Sequence, residues 1–228
     1  MRDSQRSGFA LLWLAITMPF LGCAQWADGA NAFRSRGEIQ GQVKILAGAL
    51  ASPESIANPS SAENEILVFL EPITARFSLS SLWQVQEVAI QTSRRSSGIQ
   101  LVTVDRPIRI QNLDSVHHEL FTTNKDDPLR IQVTGKSKSK AFRLVSTGLV
   151  RLYCALHPDE NHTFVASSSS AYHAFVDSSM RFRIPHVRPG RYRVRAASAL
   201  DWGQPETVEI VTAETVSLTL RLPSGQSR

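Results

Sequence analysis

A chain of 228 residues, 42% hydrophobic and 20% charged, has room for one large or two small domains with a real core. Its net charge of +5 suits loose attraction to acidic partners or anionic surfaces. No basic stretch interleaved with aromatics points to nucleic acid, and no Ser-centred elbow, paired-carboxylate motif or phosphate-binding glycine loop points to an enzyme.

The chain begins as an export signal. Residues 1–7 carry Arg2 and Arg6, Phe9 to Leu21 is almost wholly apolar, and Gly22-Cys23-Ala24 is built of small residues suited to cleavage. Such an apolar run is too short to span a bilayer comfortably and fits a secretory leader over residues 1–22. Removing Arg2, Arg6 and Asp3 with it lowers the net charge by one, to +4. Phe20-Leu21-Gly22-Cys23 resembles a bacterial lipobox, which would make Cys23 a lipidated anchor to a membrane. Ala30-Asn31-Ala32 offers an ordinary cleavage site instead. The expected location is therefore the periplasm or the outer-membrane surface.

Beyond the leader the signal is strand. Glu38 to Ile45 alternates in hydropathy, Ile66 to Leu70 is a continuous apolar run that suits a central strand, and Ser80 to Gln91 carries Leu82, Val85 and Val88 at the spacing of a short helix. Alternation returns at Ile108 to Ile110, Leu129 to Val133 and Val150 to Tyr153. It returns again at Arg181 to Ile184, Arg191 to Arg195 and Val216 to Leu220. Short alternating strands at regular spacing predict an all-β sandwich. The serine run Ser167 to Ser170 suggests a boundary near residue 168, with strand-rich sequence from 169 to 222 behind it. Arg181, Arg183, Arg191, Arg193 and Arg195 are expected on one face of two adjacent strands, as a solvated surface or a dock for an acidic partner.

Two runs carry the chemistry. Asn112-Leu-Asp-Ser-Val-His-His118 supplies a histidine after a strand, and Tyr153-Cys154-Ala-Leu-His157 supplies a thiol and a second imidazole. Cys154 is the one cysteine left once Cys23 is cleaved off or lipidated, so the mature chain has no internal disulfide. One thiolate and two imidazoles form the donor set of a mononuclear blue-type copper site. Read singly, each residue has a plainer reading: His117 and His118 as surface histidines, Cys154 as an inert buried thiol. His173 and His186, in the tail, read as ordinary surface or packing residues.

The stretch from about Val104 to Ala166 resembles a cupredoxin, the plastocyanin and azurin fold. The likeness rests on the Asn112-x-Asp114 segment leading to His118-Glu119-Leu120 and on Gly148-Leu-Val-Arg-Leu-Tyr-Cys154-Ala-Leu-His157. Bacterial periplasmic methylamine utilisation proteins are the most similar branch, through the tail Met180-Arg-Phe-Arg-Ile184 and Val187-Arg-Pro-Gly-Arg-Tyr192. That tail also resembles the transthyretin-like regulatory domain of carboxypeptidases, whose opening strands look like Gly41-Gln-Val43 and Ile66 to Pro72. The resemblance implies a Greek-key β-sandwich of cupredoxin type over 36–168 with additional transthyretin-like strands over 169–222. A completion of one another by the N- and C-terminal segments around the copper-like portion is left open. It further implies one copper ion on His118, Cys154 and His157, single-electron transfer and a periplasmic redox partner.

One position departs from the pattern. Glu160 stands where the family places an axial Met, with His162 nearby as another donor. A carboxylate is hard and anionic. It favours Cu(II) over Cu(I), and a Cys-His-His-Glu set is also acceptable to tetrahedral Zn(II). Three readings follow: a copper electron carrier, a copper or zinc protein without a redox cycle, and a sandwich-type binding module whose metal site is vestigial.

Overall fold

The computed structural model describes residues 36–46, 65–74, 84–91, 96–124, 128–169 and 171–223. The expected export signal, Cys23 and the first part of the expected helix at 80–91 lie outside them. The described residues form fourteen strands and no helix, in agreement with the all-β expectation.

The strands make two packed sandwiches. The first joins both ends of the chain. β1 (Gly37–Leu46) lies between β11 (Arg181–Val187) and β14 (Thr215–Pro223), antiparallel to the former and parallel to the latter. Facing this sheet is a second of four strands, in the order β10 (His173–Phe175), β2 (Leu67–Pro72), β12 (Gly190–Ala197) and β13 (Glu206–Ile210). Ile39, Val43, Val68, Leu70, Phe182, Ile184, Tyr192, Val194 and Leu220 fill the space between, each inward by the period-two rule.

The second sandwich is inserted in the chain between β2 and β10. Its five-stranded sheet runs β4 (Ser96–Thr103), β9 (Asn161–Ser167), β8 (Gly148–Cys154), β6 (His118–Phe121) and β7 (Arg130–Val133). Across from it, β3 (Gln86–Ile90) pairs in parallel with β5 (Ile108–Asn112). Val88, Ile90, Ile108, Ile110, Leu120, Leu152 and Phe164 make its core.

β2 shows why one segment of this chain is apolar at every position. Val68 and Leu70 point into the terminal sandwich, while Leu67 and Phe69 point the other way, against Ile99 and Val165 of the inserted one. A strand buried on both faces loses its alternation. Polar ties seal the same seam: the buried Glu71 carboxylate accepts from the Ser167 hydroxyl (3.3 Å) and the Ser168 amide (3.3 Å), and Arg151 donates to the carbonyls of Ala199 and Leu200.

Three details differ from the sequence reading. β1 and β2 precede the inserted sandwich but pair with strands beyond residue 169, so the unit that spans 36–168 by sequence is divided by pairing. Residues 86–90 are strand rather than helix, because pairing with β5 overrides a weak apolar spacing. The five arginines do not share a face. Arg181 and Arg183 are on β11 and Arg191, Arg193 and Arg195 on β12, in opposite sheets, and Arg195 lies 4.8 Å from the ring centre of Trp202.

Candidate metal centre

Two loops at one end of the inserted sandwich carry the site. The first leads from β5 to β6. Buried Asn112 organises it: the side-chain oxygen accepts from the Asp114 amide (2.8 Å), and the amide nitrogen donates to the carbonyls of Val116 (2.7 Å) and Thr134 (3.1 Å). This Asx turn sets the path from strand end to His118. The turn after β7 clamps the loop from outside, with the Lys136 side chain on the Leu113 carbonyl and its amide on the Asp114 carbonyl (2.6 Å). Gly135 permits that approach, since a Cβ there would stand 2.1 Å from the Ser115 carbonyl oxygen.

The second loop joins β8 to β9. Cys154 ends β8 on its inward face, two residues beyond Leu152. It pairs with Leu120 of β6, which places its sulfur diagonally across from His118 on the same face. The Ala155 amide donates to the Glu119 carbonyl (2.8 Å), and the Glu160 amide donates to the His157 carbonyl (2.9 Å). The latter closes a β-turn with Pro158 in second position, where its fixed φ is favoured. That turn brings His157 and Glu160 to the same side.

The outcome is a convergence of four donors. Cys154 Sγ, a nitrogen from each of His118 and His157, and a Glu160 carboxylate oxygen all lie within 4.8 Å of one another. Sγ is 3.7 Å from His118 Nδ1 and 3.4 Å from His157 Nδ1. Glu160 Oε2 is 3.1 Å and 3.5 Å from the same two nitrogens. Bond lengths usual for zinc to sulfur, nitrogen and oxygen put tetrahedral donors roughly 3.3–3.6 Å apart. The set therefore fits a single ion. Glu160 Oε2 adds a second sign of fit: it is fully buried and, despite its near neighbours, has no aligned hydrogen bond. An orphaned buried carboxylate oxygen costs about 1–3 kcal/mol or more unless a cation answers it.

The groups behind the donors are also ordered. His118 Nε2 is 3.2 Å from Asp114 Oδ2, so in the tautomer whose Nε2–H donates a hydrogen bond to that carboxylate, Nδ1 is left as the lone-pair nitrogen facing the cluster. His162 Nε2 is 2.9 Å from Glu160 Oε1. Burial holds the His162 ring below its ordinary pKa, partly opposed by the neighbouring Glu160 charge. His118, Cys154 and Glu160 are all at most 3% exposed, whereas the His157 side chain is 31% exposed. One imidazole edge thus reaches solvent from a closed site.

All four expected residues, His118, Cys154, His157 and Glu160, are together. His117 is exposed beside the site, and His173 and His186 are exposed in the terminal sandwich. Met180 packs against the terminal core, away from the cluster. His162 lies behind Glu160 instead of substituting for it. Sequence reasoning misses the supporting role of Asp114, though its four-residue spacing from His118 is a usable signal. His162 carries another: it is a histidine at an inward position of a strand whose next inward residues are Phe164 and Ala166.

Neither a protein-family model nor a curated protein matches the chain. Among solved structures, similarity is found to a Cu(I) form of an amicyanin mutant, at 11% identity over 36% of this chain and 82% of that one, with a TM-score of 0.31. A reduced amicyanin mutant is 13% identical over 43% of this chain and 98% of that one, with a TM-score of 0.32. An oxidized amicyanin mutant is 13% identical over 44% and 98%, with a TM-score of 0.31. By its own strands and side chains the molecule is a β-sandwich protein bearing a His-Cys-His-Glu cluster able to hold one metal ion.

Proposed function

We propose that this is an exported, cupredoxin-like mononuclear copper protein whose Cys154-His118-His157-Glu160 centre passes single electrons to a periplasmic partner and catalyses no reaction of its own. The observation that carries the reading is the convergence of one thiolate and two imidazole Nδ1 atoms at the end of a rigid sandwich. Copper would supply the one-electron couple. The protein's part is to keep the donors in place in both charge states, which the Asn112 turn, the Pro158 turn and the Asp114–His118 contact do. The exposed edge of His157, with Leu156 beside it half in solvent, offers a short route outward and an apolar surface for contact. Lipid attachment through Cys23 would hold the same centre at a membrane surface.

A second reading has its own support. Glu160 Oε2 stands as near the imidazoles as the sulfur does, which is closer to a tetrahedral set than to a trigonal plane with a distant fourth group. This favours a site that binds Cu(II) or Zn(II) without cycling.

Adding Cu(II) to the purified chain, beside a Cys154→Ser control, tests the proposal. An intense visible thiolate-to-copper band, absent from the control and reversibly bleached by a reductant, is the expected result. A colourless chain that binds no copper would reject it, and tight binding without reversible reduction would select the second reading.

A further inference from the structure

We propose that His162 is a positioning residue that holds Glu160 as a fourth, one-oxygen anionic donor, and that this buried pair makes the centre prefer divalent ions over Cu(I). The inference rests on the proposed metal binding and concerns what the centre selects.

The strand itself sets up the pair. His162, Phe164 and Ala166 occupy the inward positions of β9, and Glu160, one residue ahead of the strand, continues the same alternation. Two polar residues thus sit at the end of an otherwise apolar face. His162 is 0% exposed, so an imidazole N–H there needs a partner within the protein, and Glu160 Oε1 at 2.9 Å supplies it. With Oε1 engaged, Oε2 is the oxygen left to face His118 Nδ1 and His157 Nδ1. The hydrogen bond therefore fixes both the rotamer of Glu160 and the number of oxygens it offers.

Charge explains why the number matters. Thiolate and carboxylate together carry two negative charges, which a divalent ion cancels within the pocket. Cu(I) would leave one uncompensated negative charge on Cys154 and Glu160, each only 3% exposed, and a buried unbalanced charge is strongly unfavourable. Softness acts in the same direction, since Cu(I) gains from the thiolate and little from a carboxylate. Without His162 the carboxylate is free to turn away, and the remaining Cys-His-His set loses its advantage for divalent ions.

The test is competition titration of the full chain with Zn(II), Cu(II) and Cu(I) against chromophoric chelators, with Co(II) absorption reporting coordination number. It compares the unsubstituted chain with His162→Leu, His162→Gln and Glu160→Gln. Loss of a group that orients a metal ligand weakens binding about 10- to 100-fold. That loss is expected for Zn(II) and Cu(II) in His162→Leu and Glu160→Gln, with Cu(I) affinity changed less than about threefold and the Co(II) spectrum moved from its four-coordinate form. A tenfold change in the Cu(II)-to-Cu(I) ratio raises the one-electron potential by about 59 mV. His162→Gln, which keeps an N–H donor, is expected to recover most of the preference. A merely structural role would weaken all three ions together and lower the melting temperature of the metal-free chain, and that result overturns the inference. Should His162→Leu fail to fold, Glu160→Gln, nearly equal in volume, decides by the same ratio. An unsubstituted chain that binds no ion rejects the proposed function itself. Binding with a ratio unmoved by Glu160→Gln rejects the selectivity inference alone.

Discussion

The two sandwiches solve the same packing problem with different cores. In the terminal one the described interior is apolar from end to end, and its buried carboxylate, Glu71, lies at the seam with its neighbour. In the inserted one the core is apolar for most of its length, then gives way at one end to Asn112, His118, Glu160 and His162 around Cys154. A β-sandwich needs no such cluster for stability, since buried polar groups at best offset their own desolvation. Their concentration at one end of one sandwich marks that end as the place where chemistry, rather than packing, selected the residues.

The contrast can be broken at its strongest point by Cys154→Ser. Removal of the thiolate is expected to abolish the visible copper band completely, while hydrogen-exchange protection in β1, β11 and β14 stays as it was. Loss of protection there would mean that the two cores are not separable. Next in size is Phe69→Ala, at the seam. Truncating a fully buried Phe costs about 3–5 kcal/mol, and chemical denaturation is expected to show two transitions for the variant against one for the intact chain. An unchanged single transition would show that the seam is not what couples the sandwiches.

Asp114→Ala acts on the site alone. Metal affinity is expected to fall about 10- to 100-fold with little change in metal-free melting, as judged by chelator competition and calorimetry. Gly135→Ala should be milder in stability, about 1–3 kcal/mol, because a new methyl group pushes on the Ser115 carbonyl and shifts the loop that delivers His118. Its signature is a broadened copper spectrum, and a spectrum identical to that of the unsubstituted chain would count against the clamp.

The smallest effect belongs to the outer face of the terminal sandwich. The hydrogen bond from Arg183 holds the Glu38 carboxyl below its ordinary value of 4.5, against a smaller opposing effect of burial. A depressed folded-state value means that the contribution is present above about pH 4.5 and is lost as the pH falls through the folded value. Arg183→Ala should therefore flatten the acid limb of the stability profile slightly and leave metal binding untouched. An effect at neutral pH comparable to that of Phe69→Ala would contradict the usual weakness of exposed ion pairs.

Much of the site is legible in the order of residues alone. Cys154 and His157 share one short loop, so a spacing of three residues with Pro158 next to them is enough to bring them together. His118 is legible by type, although its meeting with Cys154 requires the pairing of Leu120 with Cys154 across β6 and β8. Asp114 and His162 are less visible: a four-residue spacing from His118 and a histidine at an inward strand position hint at them, but neither says which donor they support.

The sequence by itself determined eight of the fourteen described strands, seven through their alternation and β2 as a central strand through its lack of it, and the donor types available for a metal. These are local properties, set by period and by side-chain chemistry. Only the tertiary structure decided that β1 and β2 cross the chain to join its last strands, and that the five arginines divide between opposite sheets. It also decided that Glu160 turns one oxygen toward the imidazoles and the other toward His162. Each of these depends on pairings between residues far apart in the chain, where long-range burial and hydrogen bonding outweigh anything encoded within a single segment.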